Sequence, residues 1–509
     1  MALSATRNAR AHRRLLSNRW STLDFDRVNV LGDDASYGHS GCVNALSWAR
    51  DGELLLSGGD DRTVQIWRMD PTSEDAYPFV CRSIIQTGHL ANIFNAQMLP
   101  HSSNIATVAG DGQVRVHEVG EIGHSGPPAS SLLSSRHTCT HRLHCHDNRV
   151  KRITTEDSPH LFLTVGEDGT VRQHDLRTHH SCNYGACPPP LLKLNFELNT
   201  LSSAPLTPFQ FVVAGESSYG YLFDRRQAGR FLQEEKGMVE NGMTHCIRRF
   251  GRTSGSGGDD GTREHISGSR MSAYNSHELL LSYHADGVYL YSTRDEPEEN
   301  NMASTSGLLS SDAQSSKPAP AKRVRDESSS ASDDEMDIDI DEHASEDGDE
   351  HDLFRRPEEY TPPDSYSGVP TVLPRQRFAG ARNIATVKDV NFLGPEDEFV
   401  ASGSDCGNIF IWRKDGTLHD ILEGDSTTVN VIEGHPHLPL FAASGIDTTV
   451  KLFAPVSVPS VFSRMSSAES IIAANAARAS RSFVKLRRRD FTALLAAVAA
   501  DENPQCNHQ

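Results

Sequence analysis

Between Cys139 and Cys187 the chain is rich in residues of the types that hold a metal, among them Cys139, His141, His144, Cys145, His146, Cys182 and Cys187. Thiolate and imidazole are the ligands of tetrahedral zinc sites, but those sites use short, fixed spacings, and this spacing fits no finger or ribbon. His146 is also needed by a repeat described below. The residues therefore imply no metal site and no cofactor. Two arginines form a second group. The chain reads H-D-L-R at His174, Asp175, Leu176 and Arg177, and F-D-R-R at Phe223, Asp224, Arg225 and Arg226. A guanidinium is a planar fork that can grip carboxylates or carbonyls of a partner, or can pair with the neighbouring Asp and stabilise its own turn. No GxxxxGK[ST] loop, GxSxG elbow or HExxH motif occurs. The chain is therefore read as a non-enzyme.

These residues sit on a repeating strand pattern. An apolar strand ends in a small-residue turn, and an alternating strand follows that ends on an aromatic residue or His. The pairs are ELLLSG/TVQIW to Trp67, IATVAG/QVRVH to His117, LFLTVG/TVRQH to His174, FVVAG/YGYLF to Phe223, ELLLSY/GVYLY to Tyr291, EFVASG/NIFIW to Trp412 and LFAASG/TTVKLF to Phe453. Period-2 alternation and β-branched residues predict strands. A second marker recurs with them. His39, His89 and His146 each lie 28 residues before the end of a pair, and each is followed four residues on by Val43, Ile93 or Val150. Fixed spacings that recur from about 40 residues upward mark propeller blades. Seven pairs predict an all-β, seven-bladed β-propeller, with blades 4 and 5 identified mainly by strand pairing.

GHSGCVNALSWARDGELLLSGGDDRTVQIW resembles a WD repeat. The resemblance implies a hydrogen-bond chain from Trp67 through Ser57 and His39 to Asp61. It implies matching structural roles for His89 and Asp111, for His146 and Asp168, and for Asp447. It also implies that the first strand completes the last blade, for which RVNVL at 27–31 is the candidate. Departures are Cys406 in place of a turn acid, Ala381 after Gly380, and Gly424-Asp425 where Gly-His belongs. H-D-L-R and F-D-R-R are degenerate forms of W-D-x-R. With the stretches 385–412 and 423–455, they make the chain similar to the WD-repeat substrate receptors of cullin-4 RING ubiquitin ligases. That similarity implies that Asp175, Arg177, Asp224 and Arg226, with Leu16 and Trp20, meet the ligase's triple-propeller adaptor, and that an unknown protein is the substrate. The alternative is a nuclear WD-repeat scaffold or a transcription or chromatin coregulator unconnected to ubiquitin.

The net charge is −19, but residues 326–352 hold 14 Asp or Glu and no Lys or Arg. The remainder has 49 basic against 54 acidic residues, a difference of −5. This balance argues against a nucleic-acid partner. No apolar run nears the ~18 residues that span a bilayer, so no membrane partner is expected; ALLAAVAA at 493–500 is the longest. Nine scattered cysteines suit reduced thiols. The Arg-rich start lacks the apolar stretch of a signal peptide. The expected organisation is a basic amphipathic helix at 1–24, blades 1–5 over 25–293, a disordered acidic insertion at 294–372, blades 6–7 over 373–456 and a helical basic tail at 457–509. Leu16, Trp20 and Leu23 give the first helix an apolar face, and Ser466 with Glu469 forms a capping-box pattern before the tail helix. PAPAKRVRDE at 318–327 resembles a nuclear localisation signal, which implies nucleus and cytoplasm. Ser332 before DDE suits an acidophilic kinase, and the Gly/Ser stretches 124–136 and 251–272 read as disordered loops.

Overall fold

Strand pairing in the computed structural model builds seven separate sheets, one for each strand pair read from the sequence. The structure describes residues 2–33, 37–120, 122, 131–178, 182, 187–227, 244–252, 265–297 and 366–486. The nuclear-signal candidate, Ser332, the acidic block and the 493–500 run lie outside these residues. Each sheet has an innermost strand a, then b, c and d. Blade 3 is typical: Val150–Thr155, Leu161–Gly166, Thr170–Asp175 and Leu192–Lys193. The a strands of neighbouring blades lie side by side around the ring. Blade 7 is completed by Asp24–Leu31, which runs antiparallel to Val450–Val456 with Asp24 opposite Val456 and Leu31 opposite Val450. The closing strand predicted at 27–31 therefore holds, and closure removes the exposed edge an open sheet would leave.

Apolar side chains from adjacent blades interleave. One cluster joins Val43, Leu46, Leu55 and Trp67 of blade 1 to Val431, Leu440, Val450 and Leu452 of blade 7. Others join blade 1 to blade 2, and blade 5 to blade 6. The b strands of blades 1, 6 and 7 are buried along their whole length, as in Leu54–Gly59 and Phe399–Gly403, because both of their faces meet neighbouring blades.

Several local expectations change. Ser131–Ser134, read as part of a disordered loop, forms a strand parallel to the outer strand of blade 1, Ser83 opposite Ser131. Ile266–Met271 is the inner strand of blade 5, not a loop. Its Ser267 and Gly268 lie close against blade 6: Ser267 Oγ donates to Lys388 O at 3.3 Å, and a side chain at Gly268 would run into the same carbonyl. Blade 5 takes its outer strand from Gln376–Phe378, so the long insertion interrupts blade 5 between strands c and d. The expected limits 25–293 and 373–456 for whole blades shift accordingly, and Thr371–Val372 adds in parallel to blade 4. Ser466 lies inside a 3₁₀ turn, Met465–Ser467, so the tail helix starts later, at Ala468. Cys81, Cys139, Cys145, Cys182, Cys187, Cys246 and Cys406 are thiols outside any disulfide, whereas Cys42 is disulfide-bonded, which departs from the expectation of reduced thiols.

An N-terminal helix spans Ala2–Thr22 and a C-terminal helix Ala468–Leu486. The second packs Ala468, Ile471 and Ile472 against the core of blades 5 and 6. Buried Asn475 donates to Gly380 O at 2.8 Å. No helix among the described residues is long and apolar enough to cross a membrane.

Candidate protein-binding face

The histidine repeat fixes the scaffold. In blade 1, Trp67 Nε1–H donates to Ser57 Oγ at 2.8 Å. Ser57 lies 2.8 Å from His39 Nε2, and His39 Nδ1 lies 2.9 Å from Asp61. One tautomer satisfies the whole chain: Ser57 donates to Nε2, and Nδ1–H donates to the carboxylate. Burial pushes the Asp61 carboxyl up, but the hydrogen bond and charge of His39 together with the Thr63 and Ser40 N–H groups outweigh it and leave Asp61 at about 2. Blade 3 repeats the arrangement through His146, Asp168 and Thr164, with His174 replacing the Trp at 2.8 Å from Thr164 Oγ1. In blade 2, His89 reaches Asp111 at 3.1 Å and Thr107 at 2.9 Å, but His117 turns away to Thr138. Asp447 has no histidine; it pairs with Lys451, which also lies 3.8 Å from Asp425. In blade 6 the acid has moved by one residue. Asp405 rather than Cys406 accepts the Ile384 and Ala385 N–H groups at 2.7 and 2.9 Å.

The two D-x-R segments have the same geometry at the c–d turns of blades 3 and 4. Asp175 Oδ1 accepts Arg177 N–H at 3.0 Å, and its backbone C=O accepts Thr178 N–H at 3.1 Å. Asp224 Oδ1 accepts Arg226 N–H at 2.9 Å, and its C=O accepts Gln227 N–H at 2.9 Å. These are Asx turns, in which the carboxylate caps its own backbone. Each carboxylate also takes one edge of its arginine, through Nε and Nη2. Arg177 Nε and Nη2 reach Asp175 at 2.9 and 2.8 Å, and Arg226 Nε and Nη2 reach Asp224 at 2.9 and 2.5 Å. The hydrogen bond from each arginine is the largest influence lowering its Asp carboxyl. The carboxylates are 22% and 4% exposed, whereas the guanidinium side chains are 61% and 62% exposed. Each arginine is thus held in one direction while most of it faces solvent.

Sequence reasoning missed two neighbours. Arg294 follows Tyr291 by three residues, the same offset as Arg177 from His174 and Arg226 from Phe223. It is exposed, and its N–H is accepted by Ser292 Oγ at 3.2 Å, a serine version of the same turn. That offset was visible in the sequence. Phe209 was not: it is 40% exposed on strand b of blade 4, and the Arg226 guanidinium lies 4.7 Å from its ring centre.

The N-terminal helix arrives on this same face. Its C-terminal end leads into Asp24, opposite the end of strand c in blade 7, and Ser21 O accepts from Arg413 at the end of strand c in blade 6. Trp20 is 3% exposed and sits 5.0 Å from Phe25, 6.0 Å from Phe399 and 6.3 Å from Phe441. The expectation that Trp20 presents itself to a partner is therefore corrected: it anchors the helix to the ring. Leu16 is half-buried, and Leu15, at 65% exposed, is the apolar residue that faces outward.

Of the seven candidate metal ligands, His146 belongs to the blade network. Cys145, Cys182 and Cys187 lie together despite their distance in sequence. The channel cavity is lined by polar and charged groups, among them Arg270, which grips Glu433 through both nitrogens at 3.0 and 2.9 Å.

The WD domain, G-beta repeat family matches residues 34–68 and 137–175. WD repeat protein iqw1 of Schizosaccharomyces pombe is 33% identical over 267 residues, 51% of this chain and 32% of that protein. Protein ALTERED SEED GERMINATION 2 of Arabidopsis thaliana is 28% identical over 302 residues, 53% of this chain and 36% of its own. DDB1- and CUL4-associated factor 6 of Homo sapiens is 27% identical over 267 residues, 51% of this chain and 27% of that protein. The chain thus spans between 27% and 36% of the length of these relatives.

Proposed function

We propose that this WD40 propeller is a non-catalytic substrate receptor of a cullin-4 RING ubiquitin ligase, which docks on the ligase adaptor through the c–d face of blades 3 and 4. The observation that carries this reading is the pair of matching Asp–Arg turns in consecutive blades, with both guanidinium groups exposed. A surface arginine normally loses rotamer freedom when it binds, at a cost of about 0.5–1.5 kcal/mol per side chain; here the turn has already fixed it. Arg294 and Phe209 extend the surface, and the N-terminal helix borders the same face over blades 6 and 7. The similarity to a DDB1- and CUL4-associated factor supports the choice of partner. An unknown protein is the substrate, brought near a ubiquitin-charged enzyme whose chemistry belongs to other subunits. The chain works in nucleus and cytoplasm, which mutation of 318–327 with imaging tests. The main experiment is affinity capture with wild type and with Arg177→Ala/Arg226→Ala. Adaptor and cullin-4 recovered with the wild type and depleted with the variant support the reading. Their absence from the wild type leaves a scaffold unconnected to ubiquitin. A variant that unfolds assigns the arginines to the turns alone.

A further inference from the structure

Three thiols outside the blade network converge at the edge of blades 2 and 3. Cys145 follows the outer strand of blade 2, and Cys182 and Cys187 sit in the connection that leaves Arg177. Their sulfur atoms all lie within 4.8 Å of one another, with Cys145 Sγ and Cys182 Sγ 3.6 Å apart. A disulfide would require about 2.05 Å, and pairing would leave one thiol over. A tetrahedral zinc with bonds of about 2.3 Å to sulfur sets neighbouring sulfurs about 3.8 Å apart, close to what is seen.

The surroundings suit an ion. Cys145 is buried, while Cys182 and Cys187 are half-buried and leave an entry path. His144 holds both outer cysteines through its backbone: its N–H donates to Cys182 Sγ at 3.3 Å, and its C=O accepts from Cys187 Sγ at 3.9 Å. An N–H donated to sulfur is the kind of outer support that orients metal-bound thiolates.

We propose that Cys145, Cys182 and Cys187 are three thiolate ligands of a zinc ion, with the fourth position taken by water. Three S–H bonds break, three S–Zn bonds form and three protons leave to solvent, so a +2 ion becomes a −1 site plus three protons. Soft sulfur ligands select zinc over magnesium or calcium. The ion staples the segment after Arg177 to the start of blade 3, with Cys182 five residues beyond that arginine. The site stands whether or not the arginine face binds an adaptor.

The test is the metal content of the full-length protein, purified without chelator and measured by plasma mass spectrometry. About one zinc per chain is expected in the wild type and in Cys406→Ser, with loss of most of it in Cys182→Ser and Cys187→Ser. Cobalt loading guards against misfolded variants, because the wild type alone must then show thiolate-to-metal charge-transfer absorption. Wild type with no more zinc than the triple Cys→Ser variant and no cobalt absorption overturns the site. So does a Cys145–Cys182 disulfide in unreduced peptide maps.

Discussion

Replacing Trp20 with alanine should detach the N-terminal helix before it disturbs the ring. Residues 11–15, 18 and 19 of the helix are exposed, and only Leu16, Ser17 and Trp20 of 11–20 turn inward. Trp20 alone is fully buried, among the rings of Phe25, Phe399 and Phe441. A buried Trp removes about 150–250 Å² from water, worth about 4–6 kcal/mol at 25 cal/mol per Å². Measured Trp→Ala changes in cores run at about 3–5 kcal/mol. At 1.4 kcal/mol per tenfold, the undocked population rises by about two to three orders of magnitude. An undocked helix loses the tertiary packing that supplies most of a helix's stability, so it unwinds. Trypsin then gains access at Arg13, Arg14 and Arg19, and amide protection over 11–22 falls, while the blade strands stay protected. Trp20→Phe keeps most of the ring contact and should fall between. If Trp20→Ala is cut at the wild-type rate and keeps its protection, something other than this side chain holds the helix.

His117, His419 and His435 are pushed down by burial to about 3, 4 and 4, and Arg413 adds to the effect at His419. Their folded values lie below the ordinary 6.5, so the unfolded chain takes up protons first as pH falls. Their contribution is present above pH 6.5 and is lost toward pH 4, which melting temperatures across that range would show; a flat profile contradicts it. Asp61 adds a later loss between pH 3.8 and about 2. His146→Ala removes the relay between Asp168 and Thr164, leaving buried partners unsatisfied at a cost of about 2–4 kcal/mol, so urea unfolding should shift to lower concentration. His89→Ala should cost less, because in blade 2 the chain already stops at Thr107. Asp175→Ala and Asp224→Ala free the arginines without removing them; they should weaken adaptor capture by up to about tenfold, less than the arginine variants do. Equal loss from both kinds of variant would mean that the carboxylates touch the partner themselves.

The b and c strands were legible because each is an apolar or alternating run between turn residues, and all seven pairs hold. Strands a and d were harder for two physical reasons. An inner strand such as Ile266–Met271 runs close to the backbone of the next blade, where Ser267 and Gly268 sit against Lys388, so Ser and Gly replace the apolar alternation that marks a strand. An outer strand can be as short as Leu192–Lys193 or Gln376–Phe378, too short to carry a period. The second of these, displaced by the insertion, made blade 5 look complete where it is not. Ser131–Ser134 is a strand only because the edge of blade 1 supplies partners, which no local pattern encodes.

At the candidate face the sequence showed which residues could act but not which way they point. Leu16 and Trp20 share a helical stripe, and a stripe says that something covers it without saying what. Here the ring covers Trp20, and the outward apolar residue is its neighbour Leu15. The Asp–Arg segments allowed two readings, a self-stabilised turn or an arginine offered to a partner. The geometry shows these are not alternatives. Asp224 is almost wholly buried yet holds a guanidinium that is mostly exposed, so the pair that stabilises the turn is also what aims the arginine. A partner that supplies a carboxylate would then share the fork with the Asp or displace it. Binding through a backbone carbonyl, which leaves the Asp–Arg pair intact, is the less costly outcome, because it strands no nearly buried carboxylate without a partner.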